Sequence, residues 1–420
     1  MSNTVRNWAG NIEYRPSAYV RPRSVEELQE IVASSAKVHV LGSGHSFNRI
    51  ADTTGVLVST RGLTDPVRID ASARTATVPS GMRYGEVAAE LDAAGWALHS
   101  LGSLPHISVA GACATSTHGS GDGNGSLATA VRGVEFVRAD GELVRIDSTH
   151  SGFGGAVVSL GALGVATRLT LAVQPTFDVR QDVYDDMPLD SAAEHLEEIF
   201  AAAYSVSLFS DFTRPDLLNT AWRKSRVDVP GDPPPDSWFG ARRAPAPRNP
   251  VPGIDPAAAT EQLGRPGPWH QRLPHFRLEF TPSTGEELQS EFLVPRRAGA
   301  EALLSLRANA TLITPALQVF EMRTIAADEM WLSPFFGRDS IGLHFTWRPD
   351  DELVRPAVRA VQAAIRGLAA RPHWGKVFFD FGAVDFAAMY PRMADFRRLA
   401  AELDPDRHFA NDFLERFVLG

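Results

Sequence analysis

Residues 38–48 read VHVLGSGHSFN: a short apolar strand over residues 38–41 runs into Gly42-Ser43-Gly44 and delivers His45 directly behind the turn. Two glycines in three positions let the backbone come close to a ligand, and the peptide N–H groups of such a turn can cradle a pyrophosphate. The turn is not a dinucleotide fingerprint, since GSGHSF lacks the third glycine and no helical pattern follows within a βαβ unit. Nor is it a nucleophile elbow, because Gly44-His45-Ser46-Phe47-Asn48 has no closing glycine. Taken alone, it suits a structural turn as well as a ligand cradle.

Two further stretches of small residues narrow the choice. SLPHISVAGACATSTHGSG (103–121) offers hydroxyl and backbone donors along a span that would not crowd a long polar ligand, and GGAVVSLGALGV (154–165) again permits close backbone approach. Three such segments within about 130 residues favour an extended, phosphate-bearing cofactor over three unrelated tight turns.

The surrounding pattern predicts an α+β protein of two domains. SVEELQEIVASSA (24–36) is a capped amphipathic helix and residues 84–94 are a second. VRID (67–70), TATV (75–78), GVEFVR (133–138) and ELVRID (142–147) read as hairpin strands. Strand-like 165–173 precedes a boundary near residue 175, after which 190–204 reads as a helix. Residues 1–175 thus form the first domain, 176–375 the second, and 376–420 a C-terminal segment returning to the first. Eleven of the 29 prolines lie between Pro230 and Pro268, so loop 230–268 is expected to wrap the surface. FRLEFT (276–281), LQSEFLV (288–294), LQVFEMRTI (317–325) and IGLHFTW (341–347) predict an antiparallel sheet, flanked by helices at 297–308 and 351–369, with another at 391–403.

Composition excludes several classes of function. With 420 residues, 44% hydrophobic and 22% charged, the chain is globular rather than disordered or fibrous. A net charge of -9 argues against nucleic acid or an anionic membrane as partner. The single cysteine, Cys113, excludes an intrachain disulfide, and neither clustered Cys/His nor HExxH spacing points to a metal. The first residues carry no apolar h-region and no stretch is apolar enough to span a bilayer, so a cytoplasmic protein is expected; without heptads, a monomer is expected. Only Lys37, Lys224 and Lys376 are lysines among 41 basic residues, so any lysine with a chemical role is one of these.

With these residues on the page, the chain resembles the vanillyl-alcohol-oxidase/PCMH-type flavoproteins, and within them the bacterial alditol (xylitol) oxidases. GSGHS, SLPHISVAGACATSTHGSG and SLGALGV carry the likeness, which extends through SVSLFSDF (205–212), LPHFRLEFTPSTGEELQSEFLVPR (273–296), HWGK (373–376) and DPDRHFANDF (404–413). The resemblance implies a PCMH-type FAD-binding domain and a substrate (cap) domain. It implies FAD attached covalently through His45, a pyrophosphate held by Val40, Leu41, Gly42, Ser43, Gly44, His45 and Ser46, and further cofactor contacts from Ser103, Ser108, Gly111, Thr115, Ser116, Thr117, His118 and Val165.

Strand alternation adds an argument of its own. Glu321 and Arg323 are two apart and share a face, as do His344 and Thr346, so neighbouring strands can present a charged face; Trp374, Lys376 and Phe378 would share one if HWGKVFF is extended. By itself this also describes a solvated sheet face. The resemblance makes it the substrate side, implying oxidation of the terminal primary hydroxyl of alditols such as xylitol and sorbitol, with O2 reduced to H2O2. In that reading Lys376 and Arg323 are the candidates beside the reacting hydroxyl, Lys376 to take its proton and Arg323 to stabilise a developing alkoxide; His344 orients these groups or shares the proton, and Glu321, Ser103 and Thr346 bind hydroxyls. Two alternatives stand beside it: a sugar-1,4-lactone oxidase or dehydrogenase of the same family, which also carries E-x-R and HW-G/A-K, and a non-catalytic protein binding sugar or nucleotide.

Overall fold

The computed structural model describes residues 4–231, 233–280 and 286–420. In the first half, the helix Val25–Ser34 is capped by Ser24 Oγ, which accepts the Glu27 N–H at 3.2 Å, and Leu28 and Val32 carry its buried face. This helix covers a three-stranded parallel sheet in which Val56–Val58 lies between Ala18–Val20 and Val38–Val40. A five-stranded antiparallel sheet follows, in the order Leu143–Asp147, Val131–Val137, Val165–Ala172, Thr75–Pro79, Arg68–Asp70. Both predicted hairpins are present in it.

From Asp178 the chain builds a single large antiparallel sheet. Its middle runs Leu217–Arg226, Ser205–Ser210, Leu317–Ile325, Ser340–Trp347, Leu288–Pro295. Alternation divides its residues between two faces. Phe320, Met322, Leu343, Phe345 and Phe292 belong to one core with Leu303 and Leu306 of the helix Gly299–Ala308 and Val354, Val358 and Val361 of the helix Asp351–Ala364. Glu321, Arg323, His344, Thr346, Gln289 and Glu291, at the alternate positions, face the other way into a cavity.

The C-terminal residues pack on the first half: Phe413, Leu414 and Phe417 share a core with Val87, Leu91 and Val109, and Asn411 Nδ2 donates to Ile50 O at 2.9 Å. Among the described residues no helix is long and apolar enough to cross a membrane.

Two expectations are corrected. FRLEFT is not a strand: Phe276–Phe280 is a turn region, while Thr281 lies outside the described residues. Its first backbone groups bond to loops rather than to a neighbouring strand, with Arg277 N–H donating to Ala258 O and Phe276 N–H to Ser103 O. Residues 190–204 form two short helices, Leu189–Glu194 and Leu196–Ala201, broken at His195. The Pro-rich segment, residue 232 aside, is tied to the sheet: Gln181 Nε2 donates to Glu261 O at 3.1 Å, and Val251 and Ala259 pack with Phe209, Trp222 and Val319.

Candidate active site

A cavity of about 1740 Å³, open solvent at its mouth included, is lined from both halves of the chain. On the first side stands the glycine turn. Trp8 N–H donates to Gly44 O at 2.8 Å and Asn7 Nδ2 to Ser46 O at 3.0 Å, while Ser43 and Ser108 exchange bonds, each backbone N–H donating to the other's hydroxyl at 3.3 and 3.2 Å. Gly44 has φ +73°, and a Cβ on Gly42 would stand 2.4 Å from Ser108 Oγ, so both positions require glycine. His45 emerges from this turn half-buried, its ring nitrogens out of solvent and its ring stacked on Trp8 with centroids 5.0 Å apart. Among the described residues neither of its ring nitrogens has a hydrogen-bond partner, although the Ser43 backbone lies near. Burial, helped by Lys376, lowers its pKa to about 3, so the ring is neutral.

The turn is bolted to the segment bearing Lys376. Phe47 N–H donates to Gly375 O at 2.7 Å, and Asn48 Nδ2 donates to Trp374 O and Lys376 O at 2.7 and 2.8 Å. Lys376 Nζ lies 4.9 Å from the centre of the Phe47 ring and donates to Gln289 Oε1. HWGKVFF is not extended. Residues 374–376 form a turn that sends Trp374 into the core, where its Nε1 donates to Leu332 O at 2.7 Å and its ring stacks on Phe386 and Tyr390, and sends Lys376 into the cavity.

On the other side, register sets one charged row across three strands, Glu321 opposite His344 and His344 opposite Glu291. Arg323 binds this row together, with Nη2 2.8 Å from Glu291 Oε1, Nε 3.5 Å from Glu321 Oε1 and Nη1 donating to Ser103 Oγ at 3.2 Å. His118 Nε2 and His344 Nδ1 stand 3.1 and 3.5 Å from the Glu291 carboxylate. Burial alone would raise both carboxyls, but His118 and Arg323 hold Glu291, and Arg323 and His275 hold Glu321, well below the usual carboxylate range. Burial lowers Lys376 to about 8, with Glu291 opposing the shift and Arg323 adding to it. It also depresses His344, again against Glu291.

Of the residues singled out from sequence, Val40 to Ser46, Ser103, Ser108, Gly111, Thr115, Thr117, His118, Glu321, Arg323, His344, Thr346 and Lys376 all line this cavity. Ser116 and Val165 do not. Ser116 is fully buried and shares a 3.0 Å hydrogen bond with Ser333 Oγ; Val165 points into the core with Leu28 and Val38, and its neighbours Gly164 and Ala166 face the cavity instead. Gln289 and Glu291, on the strand Leu288–Pro295, carry the same alternation that marks Glu321; His275 lies in a turn and no local pattern marks it. Lys224, one of the three lysines, has a setting of its own. It is buried, its Nζ donates to Leu273 O and Pro274 O at 2.5 and 3.1 Å and lies 3.2 Å from His275 Nδ1, and burial pushes it down to about 7. Lys376 is therefore not the one lysine with a depressed pKa.

These residues fit a flavin dinucleotide. The glycine turn offers backbone donors for a pyrophosphate, and His45 and Ser80 turn unpartnered polar atoms toward or beside the same cavity. A family model described as an FAD binding domain matches residues 16–147, and one described as D-arabinono-1,4-lactone oxidase matches residues 284–417. An alditol oxidase of a Streptomyces species is 49% identical over 100% of both chains. The chain belongs to the alditol oxidase family. An L-gulono-1,4-lactone dehydrogenase of Mycobacterium tuberculosis is 30% identical over 100% of both chains. Among solved structures, a solvent-stable cholesterol oxidase superposes with a TM-score of 0.78 at 15% identity, covering 98% of this chain and 96% of its own. Members of the alditol oxidase family are FAD-dependent oxidoreductases, and this one has the PCMH-type fold.

Proposed function

We propose that the protein oxidises the terminal primary hydroxyl of alditols, xylitol and sorbitol among them, to the aldose, with FAD covalently held through His45 and O2 reduced to H2O2. Residues 1–175 serve the cofactor, 176–375 the substrate, and 376–420 return to the first part; the enzyme acts as a cytoplasmic monomer. One observation carries the reading: His45, Lys376, Arg323, Glu321 and His344 converge on a single cavity lined from both halves of the chain.

FAD, when bound, supplies the acceptor for a hydride from the alcohol carbon. The chain's own residues supply the rest. Lys376, half-buried at the cavity and lowered to about 8, is the group able to accept the hydroxyl proton near neutral pH. Arg323 is raised further above its already high value by Glu321 and Glu291 against the effect of burial, so it stays cationic and stabilises negative charge on the substrate oxygen. Glu321, Ser103 and Thr346 receive the remaining hydroxyls, and His344, held beside Glu291, keeps the row in place. A site built for several hydroxyls rejects analogues that lack them, by roughly 10⁴–10⁵ in favourable cases.

Two measurements test the reading. Turnover of xylitol with formation of H2O2, well above turnover of L-gulono-1,4-lactone, is expected; the reverse order would establish the lactone oxidase reading, which the match over residues 284–417 favours. Acid-precipitated wild-type protein is expected to keep its yellow colour in the pellet and His45→Ala to release it. A colourless wild-type pellet removes the covalent link, and protein that never binds flavin leaves a binding protein.

A further inference from the structure

Behind Glu321 lies a chain of buried polar groups to which the proposed chemistry gives no role. Lys224, from the strand Leu217–Arg226, and His275, from the turn before residue 276, meet at 3.2 Å, and His275 Nε2 lies 2.7 Å from Glu321 Oε1. All three are buried.

With Lys224 protonated and Glu321 ionised, hence accepting only, the donors and acceptors admit one arrangement. An ammonium donates three hydrogen bonds and accepts none. Two of these go from Lys224 Nζ to the carbonyls of Leu273 and Pro274, and the third points at His275 Nδ1. His275 is pushed down to about 4 by burial, with Lys224 reinforcing the shift and Glu321 opposing it, so its ring is neutral and carries one N–H. With Nδ1 accepting from Lys224, that N–H sits on Nε2 and donates to Glu321 Oε1. The edges of Phe209 and Trp222 pack against the ring, with centroids 5.3 Å away in each case, and prevent it from swinging. Glu321 Oε1 is thereby occupied by His275 and Arg323, and among the described residues no hydrogen bond reaches Oε2.

We infer that Lys224 and His275 are positioning residues: Lys224 fixes the His275 tautomer, His275 fixes the Glu321 carboxylate, and Oε2 is thus held for a substrate hydroxyl beyond the reacting end. The inference rests on the polyol reading above. It separates recognition of distal hydroxyls, which needs this chain of groups, from proton removal by Lys376, which does not.

The test compares kcat/KM for xylitol and for propane-1,2-diol, which has no hydroxyl beyond its second carbon, in wild type, Lys224→Met, His275→Leu and His275→Gln. Wild type is expected to prefer xylitol. Lys224→Met and His275→Leu are expected to lose about tenfold of that preference, roughly the worth of one hydrogen bond, through a higher KM for xylitol. His275→Gln, whose amide accepts from Lys224 and donates to Glu321, is expected to keep it. If Lys224→Met does not fold, the His275 pair decides. Equal losses on both substrates, or a preference kept in His275→Leu, would overturn the inference while the polyol reading stands. A wild type without the preference overturns that reading and this inference with it.

Discussion

Lys376→Met lowers the rate of anaerobic flavin reduction by xylitol about 10²–10⁴-fold, the range for a general base removed from its substrate. The pH dependence gives the sharper result. A lysine lowered to about 8 is protonated, and unable to accept a proton, below that value, so wild-type kcat/KM rises as pH passes through about 8 and then levels. Lys376→Arg keeps a cation beside Gln289 and Phe47 but does not lose its proton in this range, so it is expected to be slow and to show no rise. Stopped-flow reduction across the pH range reads both effects. A Lys376→Arg enzyme with nearly wild-type reduction would mean that positive charge alone suffices and that the proton leaves by another route.

Arg323→Met has consequences for both folding and rate. The guanidinium lies against Glu291, Glu321 and Ser103 in a buried setting, and its removal leaves two carboxylates facing the cavity without it. Breaking a buried pair from one side costs about 3–5 kcal/mol, and loss of a charge-stabilising donor costs roughly 10²–10³ in kcat. Arg323→Lys is expected to rescue little, since a point charge cannot reach all three partners at once. The sign of the pH effect follows from the carboxyls. In wild type Glu291 and Glu321 are held below the unfolded carboxylate value, so their contribution is present at neutral pH and is lost only in strong acid. In Arg323→Met burial acts with less opposition and raises them, so the stability deficit shrinks as pH falls. Urea unfolding of Arg323→Met, Glu291→Gln and the double variant checks this. Coupling near zero in that cycle would show that the pair carries no mutual stabilisation.

Local patterns identified much of the site before any tertiary contact was known. The glycine turn is legible because part of its backbone demand is local: Gly44 has positive φ, whereas the constraint on Gly42 comes from Ser108, far along the chain. Glu321 with Arg323, and His344 with Thr346, are legible as pairs because successive side chains on a strand alternate. The misread segments failed for an equally physical reason. FRLEFT has the composition of a strand, but its first backbone groups bond to the loops at Ser103 and Ala258. HWGKVFF alternates well, yet stacking of Trp374 on Phe386 and Tyr390 turns the chain there.

The sequence by itself determined the α+β class, the glycine turn that carries His45, and the residue types on each strand face, all set by interactions within a few residues. Tertiary structure alone decided which of these meet. Glu291 reaches His344 and Arg323 through strand register, Lys376 is fixed to the His45 turn through Asn48, and Lys224 is placed behind Glu321 through His275, 51 residues away. Such partners are joined by long-range pairing and burial, which no short window of sequence contains, and burial also sets the pKa values on which the proposed chemistry depends.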